Sequence, residues 1–384
     1  MDISQTSPSP ANLIRARNAT RFFFLVCGLG VASWAPLVPF AKIRLNLNDA
    51  ELGILLLALG AGAIFTMPFT GILINRYGSR MIILISSLLI AVVLPSLLIA
   101  STAFSLGLLL FVFGCSAGAI DVAMNSQAVV IQNKIDKPIM SSFHGLFSVG
   151  GLMGSATPGL LMNEGLKPLY AIIAVSGLLL LITITQYRRL LPAADEPRHT
   201  GAVLALPRGP VLALGLMCFI VFLAEGALLD WSAVFLQFNR GFSPSFSGLG
   251  YAAFSIAMAV MRLTGDKIVA KVGTSKIVLY GGLVASAGFL LAVLVPMPFA
   301  ALAGFVLVGI GAANIVPVFF SAAGRVPGIP PAIALPAITT MGYAGQLAGP
   351  ALIGFVAEAV SLPFSLGLLS LFLFIVAVSF RSSK

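Results

Sequence analysis

The sequence is poor in charge. Of its 384 residues only 9% are Asp, Glu, Lys or Arg, whereas an ordinary soluble domain carries about 25%. So few charged side chains cannot cover the surface of a soluble protein of this length. A hydrophobic fraction of 59% and a mean hydropathy of +1.07 point the same way. The composition therefore predicts a protein whose surface lies mostly in lipid.

Cysteine and histidine are also scarce. The three cysteines, Cys27, Cys115 and Cys218, lie singly inside apolar runs, and there are two histidines. Because paired spacing is lacking, neither a disulfide framework nor a zinc site is predicted. The sequence shows no Walker-type phosphate loop and no nucleophile–base–acid set, which argues against an ATP-driven pump and against an enzyme. No cofactor and no metal are expected.

Long apolar runs are abundant. A spanning helix needs about 20 mostly apolar residues, and twelve runs meet this length. They lie at residues 21–41, 50–74, 81–100, 104–130, 139–162, 168–187, 209–237, 245–268, 277–296, 298–322, 333–357 and 362–380. The longest interruption, 188–208, holds three prolines and six charges. The pattern predicts an all-α integral membrane protein of twelve transmembrane helices. Its predicted parts are a tail (1–20), a six-helix bundle (21–187), a linker (188–208), a second six-helix bundle (209–380) and a C-terminus (381–384).

The basic residues that give the net charge of +10 are spread along the chain, which argues against a nucleic-acid partner. If the N-terminus is cytoplasmic, eighteen of the 22 basic residues fall on the cytoplasmic side. Only Lys42, Arg44, Lys167 and Arg240 fall on the other side. This bias predicts a multi-pass protein of the bacterial inner membrane, with the tail, the linker and the C-terminus all cytoplasmic.

The two halves repeat each other at an offset of about 195 residues. Four matches occur in order: Trp34 with Trp231, Asp121 with Asn314, Gly154 with Gly349, and Gly78 with Gly273. Matches at nearly one offset predict two pseudo-symmetric bundles. Such halves are expected to rock about a site near the middle of the bilayer.

The loop after the second run, Gly71-Ile-Leu-Ile-Asn-Arg-Tyr-Gly-Ser-Arg80, resembles the signature of the major facilitator superfamily, with Asn75 where an acid is usual. A related stretch follows the eighth run. The resemblance implies that these loops latch helices at the cytoplasmic face; the residues concerned are Gly71, Asn75, Arg76, Gly78, Arg80, Arg262, Gly265 and Asp266.

Segments 33–35, 144–148, 224–231, 241–244 and 349–350 resemble a bacterial branch of this superfamily related to fucose permease and to the rhizopine transport protein. The resemblance implies the fold and secondary transport. Fucose permease uses one carboxylate in its first helix and one in its fourth. Here the first run has no acid and Asp121 lies in the fourth, so the coupling scheme is not implied intact.

Ionisable side chains inside the apolar runs are the main functional candidates, because a charge near the bilayer centre is costly and persists only beside a cavity or a partner. Asp121, Glu225 and His144 are predicted to couple transport to protons. For Asp121 the alternative is a structural hydrogen bond to a neighbouring helix, and for His144 it is a hydrogen bond to a backbone carbonyl with packing beside Gly145. Eight further residues are predicted to bind substrate: Trp34, Asn125, Asp230, Trp231, Tyr251, Asn314, Tyr343 and Gln346.

The sequence thus predicts a monomeric, proton-coupled transporter of a small polar solute, such as a sugar or a cyclitol, working by alternating access. The partners expected are the solute, protons and membrane lipid. A proton-linked antiporter that exports drugs or metabolites is the alternative within transport. An integral-membrane enzyme and a channel are the alternatives from other classes; the repeat and the acids in the middle of apolar runs favour alternating access over a continuous pore.

Overall fold

The computed structural model describes residues 10–47, 49–196, 208–242 and 249–380. The regular elements of these residues are all helical. The first half contains α1 (Pro10–Ala32), α2 (Val38–Arg44), α3 (Asp49–Tyr77), α4 (Ser79–Ile99), α5 (Ala103–Ile135), α6 (Met140–Asn163) and α7 (Pro168–Tyr187). The second half contains α8 (Gly209–Arg240), α9 (Leu249–Val272), α10 (Thr274–Leu294), α11 (Pro298–Ala312), α12 (Ile315–Ala323), α13 (Pro331–Ala359) and α14 (Leu362–Ser379).

A helix lies on each of the twelve predicted spans. Within the described residues, ten helical segments are long and apolar enough to cross a membrane. The other two predicted spans are α9 and α13, whose compositions are more polar. The second half of α9 carries Arg262, Asp266, Lys267 and Lys271, and α13 carries prolines, threonines and Gln346.

Two spans differ from the prediction. The first helix begins at Pro10 rather than at residue 21, and short 3-10 and α-helical turns follow it from Ala35 to Arg44. The arginines near the start of the span do not end the helix, because a helix can extend beyond the hydrocarbon region into water. The tenth span is broken between Ala312 and Ile315, so that it consists of α11 and α12. The predicted tail and linker are described only from residue 10 and up to residue 196; the terminal residues 381–384 and Pro244 lie outside the described residues.

The chain forms two compact units. The first unit comprises residues 1–136, 146–206 and 327–336, and the second comprises 137–145, 207–326 and 337–384. The first turns of α6 therefore belong with the second unit, and the first turns of α13 belong with the first unit. The limits predicted from the sequence for the two six-helix bundles, 21–187 and 209–380, remain a prediction.

Glycines allow close helix packing in each unit. A Cβ atom added at Gly114 would lie 1.9 Å from the carbonyl oxygen of Leu59, and one at Gly28 would lie 2.1 Å from that of Phe147. In the absence of a hydrophobic drive between helices in lipid, such backbone contacts supply much of the packing energy. They hold α3 against α5 and α1 against α6.

Two arginines close the ends of corresponding helices in the two units. Arg44 donates from Nη1 and Nη2 to the carbonyl oxygens of Leu98 and Leu97, the second at 2.9 Å. Arg240 donates to the carbonyl oxygen of Ala292 at 2.7 Å and to that of Val293 at 2.9 Å. These carbonyls belong to the last turns of α4 and α10, which have no partners within their own helices. The two arginines are 196 residues apart, at the offset of the internal repeat.

Candidate functional site

An ion pair joins α8 to α9 inside the second unit. The Nη2 atom of Arg262 lies 3.3 Å from the Oε1 atom of Glu225. The side chains are 7% and 18% exposed, respectively. Glu225 stands well inside α8, which is long and apolar enough to cross a membrane, and Arg262 stands well inside α9. Glu225 was predicted as a coupling residue and Arg262 as part of a cytoplasmic latch; the structure brings them together.

The same arginine bonds to the break in the tenth span. Its Nε atom donates to the carbonyl oxygen of Ala313 at 3.1 Å. This carbonyl has no helical partner because residue i+4 is Pro317, which has no N–H and whose ring disfavours the preceding turn. Pro317 is thus the sequence feature that releases the Ala313 carbonyl, and Arg262 satisfies it. One guanidinium thereby links α8, α9 and the α11–α12 junction.

Asn314 lies at this junction. Its Nδ2 atom is 3.4 Å from the carbonyl oxygen of Met261, and its Oδ1 atom faces Gly265, where an added Cβ would lie only 2.0 Å away. Asn314 is 4% exposed. Its contacts are thus with the backbone of α9, and its role in binding substrate remains a prediction.

Five further candidates lie along α8, α9 and α13 of this unit. Tyr251 is within electrostatic range of Glu225, Asp230 and Arg262. The Tyr343 ring meets Phe222 edge-on at 5.9 Å, and Gln346 packs against Gly226, the residue after Glu225. Tyr251 therefore lies near the Glu225–Arg262 pair, whereas Tyr343 and Gln346 contact the neighbouring part of α8. Asp230 is exposed, and Trp231 lies farther along α8 against Gly354.

The first turns of α6 complete the polar surroundings of the pair. His144 packs edge-on against Phe320 with ring centres 5.5 Å apart, and it lies within electrostatic range of Arg262. The backbone N–H of Ser142 donates to the Oδ1 atom of Asp266 at 3.0 Å. Because first-turn amides have no partner within their helix, Asp266 ties α9 to the start of α6.

Asp121 and Asn125 form a separate polar group in the first unit. The Nδ2 atom of Asn125 donates to the backbone oxygen of Asp121 at 2.8 Å and lies 3.3 Å from its Oδ1 atom. Asp121 is 8% exposed, Asn125 is fully buried, and Cys27 of α1 lies within electrostatic range of Asp121. The helix-face relation predicted from the four-residue spacing is present. Trp34 is buried farther along the first span.

The signature loop of the first unit is held by a residue that the sequence analysis did not single out. The Ser79 backbone N–H and hydroxyl donate to the carboxylate of Glu196, at 3.0 and 2.6 Å. Gln127 donates to Ser79 at 2.8 Å and accepts from Thr20 at 3.1 Å. Burial raises the pKa of Glu196, while the hydrogen bonds from Ser79 oppose that rise.

The predicted latch residues surround this network. Gly78 adopts a φ of +81° against Ala193, which only glycine tolerates readily. The Arg80 guanidinium lies 4.4 Å from the centre of the Tyr187 ring, and Arg76 lies 5.2 Å from that of Tyr77. Gly71 packs against Ala332 of α13. Asn75 lies in the last turn of α3, three residues before Gly78.

Comparison with known proteins gives matches over almost the whole chain. The profile described as Major Facilitator Superfamily matches residues 22–332. An uncharacterised MFS-type transporter of Yersinia pestis is 47% identical over 364 residues, which cover 95% of this chain and 94% of that protein. Membrane protein MosC of Rhizobium meliloti is 33% identical over 360 residues, covering 94% of this chain and 86% of MosC.

Solved structures agree at the level of the fold. The E. coli fucose:proton symporter FucP has a TM-score of 0.79 at 16% identity, covering 97% of this chain and all of that chain. The proton:xylose symporter XylE has a TM-score of 0.72 at 13% identity, covering 96% of this chain and 95% of that chain. The profile and the two relatives confirm the family resemblance, and the solved structures confirm the predicted fold class. The matches are to transporters rather than to enzymes.

Proposed function

Because the chain belongs to the major facilitator superfamily of membrane transporters, we propose that it moves a small polar solute by alternating access and couples this movement to protons. The observation that carries the proposal is the Glu225–Arg262 pair, buried in a helix pair and bonded to a helix break. FucP and XylE, both proton symporters of similar fold, support coupling to protons.

The Glu225–Arg262 pair is sensitive to protonation of Glu225. An ionised Glu225 neutralises Arg262 at 3.3 Å. Protonation of Glu225 removes this attraction, whereas the hydrogen bond from Arg262 to the Ala313 carbonyl does not depend on that proton. An ionisable residue inside the membrane whose partner depends on its charge is suited to a proton relay. Asp121 is the second candidate, because it is the buried acid of the first unit.

The polar solute is inferred from buried atoms that need partners. Within the described part of the chain, the Nε1 atoms of Trp34 and Trp231 and the Oδ1 atom of Asn125 meet no protein partner. Two are donors and one is an acceptor, and a hydroxyl group can satisfy either kind. Buried polar groups without partners are costly, so a hydroxyl-rich solute such as a sugar or a cyclitol suits them.

The orientation and the latch remain part of the proposal. The charge bias of the loops favours cytoplasmic termini in a bacterial inner membrane. Because one chain contains both units, the proposed transporter is a monomer. The contacts of Gly71 with the start of α13 and of Asp266 with the start of α6 support a latching role for the two loops.

A two-stage experiment tests the proposal. Thermal-shift screening of the purified protein against sugars, cyclitols and small acids first finds a solute. Proteoliposomes that contain a pH-sensitive dye then report proton movement when that solute is added. Glu225→Gln should abolish solute-driven proton movement. Glu358→Gln, the same change at an exposed position of α13, should leave it intact. Coupling that persists in Glu225→Gln and in Asp121→Asn would refute the assignment.

A further inference from the structure

A groove in the second unit runs between α9 and α10. Both helices pack extensively against α11 but touch each other little, which leaves a space floored by α11 and the α11–α12 junction. The groove has a volume of about 230 Å³. Ligand sites for drug-sized solutes usually span about 300–1,000 Å³, so this space suits a single chain of atoms better than a whole solute.

The walls of the groove are apolar. Met261 and Val272 come from α9, Ile277 and Val284 from α10, and Ile310 from α11. From residue 276 to residue 284 the groove follows α10 for about 12 Å, at 1.5 Å per residue. Asn314 is polar but contributes to the floor while its amide faces the backbone of α9. Such walls match a hydrocarbon chain and leave the hydroxyl groups of a sugar without partners.

Charge is confined to one end of the groove. Lys276 lines that end, and no acidic side chain is among the described residues that line the groove. Lys276 and Tyr280 are exposed in the full chain, so the groove opens to the surroundings of the protein. Lys267 and Lys271 near the end of α9 and Lys276 near the start of α10 lie on the side that the charge bias predicts to be cytoplasmic.

We propose that this groove binds one acyl chain of an anionic phospholipid, with the headgroup phosphate at Lys276. The apolar walls accept the chain, and the lysine attracts the phosphate at the level where a leaflet places it. Basic residues at the cytoplasmic ends of membrane helices attract anionic headgroups. The groove is separate from the Glu225–Arg262 pair and does not depend on which solute is transported.

Lipid titration of the purified protein tests the proposal. Native mass spectrometry in detergent would compare dioleoyl-phosphatidylglycerol with dioleoyl-phosphatidylcholine. The anionic lipid should bind more tightly. Lys276→Gln should weaken binding of the anionic lipid about fivefold, the expected effect of one lysine near the surface, and should leave the zwitterionic lipid unchanged. Lys267→Gln, an exposed lysine of α9 that does not line the groove, is the matched control and should have a smaller effect.

The apolar part of the proposal has its own variants. Val284→Phe fills the groove and should lower the binding of both lipids. If this variant does not fold, Ile277→Phe fills the groove next to Lys276 and should have the same effect. If a phenylalanine variant folds and its lipid binding is unchanged, the acyl chain does not lie in this groove. Equal binding of the two lipids to the wild type would show that the phosphate charge is not recognised. Equal effects of Lys276→Gln and Lys267→Gln would attribute the preference for the anionic lipid to diffuse surface charge. Either result would overturn the site.

Discussion

The Glu225–Arg262 pair makes a quantitative prediction for a double-mutant cycle. At the observed separation of 3.3 Å, an effective dielectric constant of about 20 gives a Coulomb attraction of about 5 kcal/mol. The cost of desolvating both groups offsets much of this attraction. Removing one partner of a buried pair nevertheless costs about 3–5 kcal/mol, because the other charge is left without compensation. Glu225→Gln and Arg262→Gln should therefore each lower stability strongly.

The double variant should lose much less than the sum of the two single losses, since neither charge then remains. An interaction energy of about 1–3 kcal/mol is expected for residues in direct contact. The assay is reversible unfolding in mixed detergent micelles at constant pH, with Glu358→Gln in place of Glu225→Gln as the control cycle. Additive losses, within about 0.5 kcal/mol, would show that the two side chains are not coupled and would refute the argument for a charge-linked arginine.

Three further predictions concern stability and the linker. Arg240→Ala should lower the free energy of unfolding by about 1–2 kcal/mol, because two carbonyls at the end of α10 lose a charged donor; thermal unfolding would measure this, and Arg44→Ala should have a similar or smaller effect. Gly265→Ala should lower the melting temperature, since the new Cβ would lie 2.0 Å from Asn314 Oδ1 and overpacking typically costs about 1–3 kcal/mol. The segment that contains Glu196 should bind Ser79 more tightly at low pH. The pKa of the bound Glu196 carboxyl is raised. Binding is therefore strongest below the ordinary pKa of a glutamate and weakens as the pH rises through the raised pKa of the bound state. An environment-sensitive fluorophore attached to the cysteine of Ala194→Cys would report the loss of this contact as the pH rises.

Each of these predictions has a matched control. Lys167→Ala removes an exposed basic residue of the same predicted face and should not change stability. Gly177→Ala adds a methyl group where no atom lies within 4 Å and should be neutral or slightly stabilising. Glu196→Gln should make the fluorescence independent of pH, whereas Asp195→Asn should preserve its pH dependence. Wild-type behaviour of Gly265→Ala, or a pH response that survives in Glu196→Gln, would contradict the contacts on which these predictions rest.

Hydropathy predicted the number of spans well, because the length of each apolar run is fixed by the thickness of the membrane. It did not predict the break in the tenth span, since Ala313 and Asn314 interrupt the helix without lowering the apolar content of the run. Pro317 was a usable signal, because a proline inside a helix releases the carbonyl four residues earlier. The early start of the first helix was missed for the opposite reason: polarity ends a membrane span but does not end a helix.

The candidate site was predicted in part. Glu225 and Asp121 stood out as lone acids in apolar runs, and the structure places both in buried surroundings. The partner of Glu225 was not identified, because Arg262 lies 37 residues away in sequence and beside a loop signature that suggested another role. Its place inside a predicted span was the available signal, since a buried arginine requires a partner. The carboxylate of Glu196 was missed because contacts between a linker and a helix start have no periodicity.

Three arginines, Arg44, Arg240 and Arg262, share one physical task, and the difference among them bears on function. Each donates to backbone carbonyls that a helix end or a helix break has left without partners. Such carbonyls are costly in a membrane protein, and the planar fork of a guanidinium can satisfy several acceptors at once. Arg44 and Arg240 donate their hydrogen bonds to carbonyl oxygens, which do not titrate. Arg262 also pairs with a carboxylate, so a change in protonation alters what holds it. If Glu225 takes up a proton as proposed, that proton would act on the α11–α12 junction through Arg262, whereas the bonds at the ends of α4 and α10 would be insensitive to it.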